Sequence, residues 1–295
     1  MKSRRNPRRV PGLGLNTSGT GGSFSLGFDQ TGRLPMIVDG PGYWRRETQI
    51  RVEPSAEVEL DLLPSGRDFD LVFFDHVFRD KGLAGTRRWT GEPTFEIWAQ
   101  QYTCATQNQD GFCVELDATD GRAASPFEGE AHTVITTDSQ TYTGGFVAGS
   151  RITTVTHPAG THVGLAQMLV TGKVTVALVE TPSRWSWAWW RYSNTRRMLA
   201  GHIQINKDHR SYRDAYSHEL AHVLGFDHPD GHASVPGRSI MRNAGPTLLD
   251  ILHGRVLYRR PPGSRTPDKD PDDFSLNLEL LADASSEDGT TVIRR

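Results

Sequence analysis

Ser217-His218-Glu219-Leu220-Ala221-His222-Val223-Leu224-Gly225-Phe226-Asp227-His228 sets three histidines and one glutamate at offsets suited to a helix followed by a sharp stop. Residues four apart share a helix face, so His218 and His222 aim their imidazoles at one point, with Glu219 beside them. Leu220, Val223 and Leu224 turn toward a core, and Ser211 with Asp214 reads as a capping box that starts the helix. Gly225 ends it, because glycine takes the left-handed conformation at C′ freely and lets the chain reverse. His228 then swings back as a third nitrogen ligand. Three neutral imidazoles leave the fourth tetrahedral position to water, the arrangement of a catalytic zinc. Chance assembly of H-E-x-x-H-x-x-G-x-x-H from this composition has a probability on the order of 10⁻⁴. For H-E-x-x-H alone, a buried histidine pair on a helix would compete seriously.

Upstream, Gly201, His202, Ile203, Gln204, Ile205 and Asn206 alternate as a strand with the two isoleucines on one face. Trp185-Ser186-Trp187-Ala188-Trp189-Trp190 precedes it and reads as a packed core or as a pocket wall. Strands are expected at 94–102, 151–156 and 174–180, a helix near 127–142 and a late helix over 247–258. Residues 26–90 show short apolar runs split by turn residues, including Asp70-Leu71-Val72-Phe73-Phe74, and predict a small β-rich module. Residues 1–25 and 263–295 are Gly-, Pro- and charge-rich and read as flexible tails, leaving 91–262 as the main domain. His209 and His232 flank the cluster without ligand spacing and read as solvated loop histidines, with a second metal as the alternative. Asp227 either orients an imidazole or starts a turn.

The 295 residues suffice for one large or two modest domains. A net charge of −2 gives no basic field for nucleic acid or anionic lipid, and no apolar run is long enough to span a membrane. The first residues carry the positive region of an export signal without its apolar stretch, since Pro11, Gly12 and Gly14 interrupt it. Ser3-Arg4-Arg5 hints at a twin-Arg signal, but no apolar run follows. Cys104 and Cys113 flank the turn signal Asp110-Gly111, so a bridged hairpin is favoured over two buried thiols.

His218 to His228 resembles the extended zinc signature of the metzincin metallopeptidases, and Ser239-Ile240-Met241-Arg242 resembles that family's Met-turn. The resemblance is specific over 217–242 and rests on element order elsewhere. It implies an α+β fold: a mixed twisted sheet, an active-site helix, the Met-turn and a C-terminal helix, preceded here by the β-rich module. It also implies one catalytic Zn²⁺ on His218, His222 and His228, with Gly225 and Met241 supporting the site. Zinc lowers the pKa of its water to about 7, and Glu219 serves as general base. The family's edge strand pairs with a protein or peptide substrate, and residues 201–206 match it by position, with an ordinary interior strand as the competing reading. An extracellular setting is implied, although no signal peptide is visible. A structural Ca²⁺ is compatible with the resemblance, but no Gly-Asp repeat marks one. Pro229 is similar to the serralysin pattern, whereas the late helix ending in Leu257-Tyr258 is closer to matrixins, so no subfamily follows. No cysteine-switch propeptide is apparent, since Cys104 and Cys113 both fall inside the expected catalytic domain, and no oxyanion-stabilising residue stands out. The expectation is a zinc endopeptidase; the rival is a binding or adhesion protein on an inactive metal-held scaffold. Zinc hydroxide attacks other carbonyls too, leaving a non-protein substrate as a third option.

Overall fold

A computed structural model describes residues 32–52, 60–66, 69–80, 82, 84–123, 125–209, 212–229, 239–241, 245–272 and 289–294. In chain order the elements are β1 (Gly32–Val38), β2 (Arg46–Val52), α1 (Leu71–Phe78), β3 (Thr94–Gln107), β4 (Cys113–Arg122) and α2 (Ser125–Thr143). There follow β5 (Ile152–Val155), β6 (His162–Gly164), α3 (Leu165–Met168), β7 (Lys173–Glu180) and β8 (Trp187–Ser193). The last are β9 (Met198–Asn206), α4 (Tyr212–Val223), α5 (Leu248–Tyr258) and β10 (Gly289–Arg294). The architecture is α+β. One mixed, curled sheet runs β10-β8-β9-β7-β3-β4-β6, with β5 also on β3, and β1 pairs with β2 as a separate hairpin. Among the described residues no helix is long and apolar enough to cross a membrane.

The main core lies between this sheet and α1, α2, α4 and α5. Close approach sets the position of α4: a Cβ on Gly201 of β9 would lie 3.0 Å from Val223 Cγ1. On the opposite face, Cys104 and Cys113 are bridged, as favoured from their spacing. The hairpin they close lays Phe112 against Trp189, with ring centroids 3.6 Å apart.

The chain departs from four sequence expectations. Asp70–Phe74 is not a strand: Asp70 caps α1, accepting from Phe73 N at 3.0 Å, and Phe73, Phe74, Val77 and Phe78 form one buried helical face. These side chains share a core with Val223, Phe226 and Leu257, so the segment expected as a separate module packs into the main body. The described part of 263–295 is not a tail, because two of its carboxylates find partners inside. Asp270 pairs with Arg46 at 2.8 Å and Asp268 with Arg260 at 2.7 Å, both buried. Backbone bonds from Glu47 N to Asp268 O and from Asp270 N to Glu47 O bind this strap to β2, and β10 extends the main sheet. The expected tail at 1–25 lies outside the described residues.

The fourth departure concerns 201–206, expected as an edge strand. β9 lies between β7, to which it is parallel, and β8, to which it is antiparallel, and it is buried along its whole length. Its polar side chains imitate a solvated face but turn one polar atom each to an internal partner, leaving His202 Nε2 and Gln204 Oε1 buried without one. Gln204 Nε2 donates to Cys113 O at 2.7 Å, and Thr175 Oγ1, which itself donates to Met168 O, accepts from His202 Nδ1 at 2.6 Å. Burial pushes the His202 imidazole down to about 3. The unfolded chain therefore binds a proton at His202 below its ordinary pKa while the native chain stays neutral. This contribution to stability is present at neutral pH and falls by about 1.4 kcal/mol per pH unit through the acid range. Urea unfolding from pH 6 to pH 4 should show the stability gap between the parent and His202→Gln narrowing at about that slope. A pH-independent gap contradicts the assignment.

Candidate metal centre

His218 and His222 project from α4, and the chain reverses immediately after it. Gly225 has φ +104°, its N–H donates to His222 O at 2.9 Å, and Phe226 N donates to Ala221 O at 3.0 Å. The reversal brings His228 back. Each of the three imidazoles offers a nitrogen within 4.8 Å of the others, and His218 Nε2 lies 3.2 Å from His228 Nε2. A tetrahedral ion with Zn–N of about 2.0–2.1 Å spaces its ligand nitrogens by about 3.3 Å.

Carbonyl partners fix two of the tautomers. His218 Nδ1–H donates to Ile240 O at 2.7 Å and His222 Nδ1–H to Phe226 O at 2.9 Å, which leaves both Nε2 lone pairs for the centre. His222 Nε2 is buried without a hydrogen-bond partner. Burial, then the neighbouring His218 and His228, hold His222 well below the usual histidine range, so it is the neutral form a metal requires. These donors fit a zinc ion. Glu219, beside the first ligand, is 3% exposed, with Oε2 unpartnered. Burial raises its carboxyl well above the ordinary value, a shift that a divalent cation nearby would oppose.

Two supports were not recognised in the sequence. Asp250, third residue of α5, accepts from Ser239 Oγ at 2.6 Å and Ile240 N at 2.8 Å, so it fixes the carbonyl that holds His218. Its trace was the Thr247/Asp250 capping box, in which Asp250 Oδ2 accepts from Thr247 N at 3.0 Å. Met241, the next residue after Ile240, is buried in the core. Trp190 of β8 stacks on His222, with centroids 5.4 Å apart and an interplanar angle of 17°, while Trp187 and Trp189 face the other side. The tryptophan run is thus core on one face and a wall against a ligand on the other.

Arg87 is the second of these supports. Asp227 Oδ1 accepts from His228 N at 3.0 Å, and Oδ2 accepts from Arg87 Nη2 at 2.9 Å in a buried ion pair. Asp227 anchors the ligand loop by its backbone as well, through Asp227 N to Val77 O at 2.7 Å. Arg87→Met removes the guanidinium that holds Asp227 Oδ2 in place next to His228, so zinc affinity should fall about 10–100-fold, with Arg87→Lys recovering part of it. Competitive chelator titration measures this, and unchanged affinity in Arg87→Met would exclude the support. His209, expected as solvated, is half-buried and hydrogen-bonded to Ser186 Oγ at 2.9 Å; His232 lies outside the described residues. No protein-family model, curated protein or solved structure matches the chain.

Proposed function

We propose that the chain is a zinc-dependent endopeptidase of the metzincin type. The observation that carries this reading is the convergence of three imidazole nitrogens, two of the rings oriented by Nδ1 bonds to carbonyls, beside a buried carboxylate on the same helix. Order supports it further: an antiparallel strand, an interior strand, the ligand helix, the Ser239–Met241 turn and a final helix.

A zinc ion on His218, His222 and His228 would acidify water and polarise a carbonyl. The chain's own groups do the rest. Glu219 takes the proton of the attacking water and returns it to the leaving amine, while Asp250 and Asp227 keep the ligands in place. The substrate class is protein or peptide. The Cys104–Cys113 bridge supports an oxidising, extracellular setting.

The 3% exposure of Glu219 is the observation that favours the rival reading, a metal-held binding scaffold. Chelator-sensitive cleavage of casein by the zinc-loaded chain separates the two. Cleavage that disappears with chelator and returns with zinc is expected; a fully zinc-loaded chain without cleavage would favour the scaffold.

A further inference from the structure

One edge of β8 is paired with β9, its other edge is the outer one, and its face reaches the metal centre through Trp190, which stacks on His222. That outer edge is taken by β10, antiparallel, in a register from Gly289↔Ser193 to Arg294↔Ala188. Val292 stands at the position of Trp190, which is paired on its inner side with Gly201. The strand therefore runs one interstrand spacing, about 4.8 Å, outside the strand that touches a ligand.

We propose that the chain's own Gly289–Arg294 segment occludes the outer edge of β8, so that an extended polypeptide pairs there only by displacing it. A row of main-chain N–H and C=O groups accepts one strand at a time, so an incoming peptide must displace β10. Antiparallel main-chain pairing tolerates many sequences, and affinity then depends on the backbone more than on particular side chains. Gly289-Thr290-Thr291-Val292-Ile293-Arg294 suits the place, with four β-branched residues among the six. Its covalent attachment gives it a high effective concentration at the edge, so a free peptide competes at a disadvantage. Identifying that peptide as substrate rests on the peptidase reading; the receiving edge itself does not.

The test uses the full-length, zinc-loaded chain carrying Glu219→Gln, so that no probe is consumed. Thr291→Pro with Val292→Pro removes two successive N–H groups, one of which must donate to β8 in an antiparallel ladder. Thr291→Ala with Val292→Ala keeps both. A fluorescein-labelled peptide of residues 288–295 is titrated by anisotropy, with hydrogen exchange followed at the amides of 187–193. The proline pair is expected to bind the peptide at least tenfold tighter than the parent or the alanine pair. Its β8 amides should exchange faster and regain protection when peptide is added. Equal binding by all three, or unchanged β8 exchange in the proline pair, overturns the proposal. With Glu219 restored, casein cleavage should rise severalfold in the proline pair. Cleavage equal in parent and proline pair overturns the closed-edge claim. Peptide binding with no cleavage in either supports the receiving edge and overturns the peptidase reading instead.

Discussion

Glu219→Gln is expected to leave zinc bound at one ion per chain and to lower peptide cleavage by about 10²–10⁴-fold, the range of a lost general base. The direction follows from placement. Glu219 is not among the three residues whose nitrogens converge, so the amide removes proton acceptance without removing a ligand. It is nearly isosteric with the carboxyl, and the site is buried, so the surrounding packing should persist. Burial alone favours the protonated carboxyl, whereas a cation beside it favours the ionised form. Elemental analysis of the purified variant and steady-state cleavage of a fluorogenic peptide measure the two halves separately. Retained zinc with cleavage within threefold of the parent would remove Glu219 from the chemistry. Lost zinc would give it a place among the ligands instead.

Gly225→Ala should be the most disruptive single substitution near the site. The backbone there has φ +104°, which L side chains rarely adopt, and a Cβ would lie 2.1 Å from the carbonyl oxygen of Arg87. The obstacle is main chain, so no side-chain rotation relieves it. Left-handed strain of about 1–2 kcal/mol and overpacking of about 1–3 kcal/mol act together, for a loss of about 3 kcal/mol or more. The reversal that it opens also carries Phe226 O, which fixes His222, and leads into His228. Stability and zinc should therefore fall together: Tm by about 5–10 °C, with substoichiometric metal after dialysis. Scanning calorimetry with and without added zinc checks both, and a variant matching the parent in Tm would refute the close approach.

The metal helix was legible because its signal is local. A four-residue spacing, a glycine stop and a third histidine are properties of the chain within one reversal, and long strands and helices such as β7, β9, α2 and α5 announce themselves by periodicity. What depended on partners distant in sequence was not legible. Arg87 and Asp227 are 140 residues apart, and Arg46 and Asp270 are separated by 224. Read singly, those charges belong on a solvated surface; paired, they are interior. The same ambiguity misplaced 201–206, where His202 and Gln204 look like an outward face until Thr175 and the Cys113 carbonyl supply partners. Asp70 shows the opposite failure, since a capping aspartate turned an apolar run that resembled a strand into the first turn of α1.

The strap formed by 264–272 bears on how this protein should be cut for expression. Arg79 donates to Pro267 O at 3.1 Å and to Ser264 Oγ at 3.2 Å, and Arg46 and Arg260 are neutralised by Asp270 and Asp268. A fragment stopped at residue 262, where composition invites a boundary, would leave the buried guanidinium groups of Arg46 and Arg260 without their carboxylates and Arg79 with Asp75 but without its strap acceptors. Such a fragment should be recovered from inclusion bodies, whereas one stopped at residue 272 keeps every one of those counter-charges.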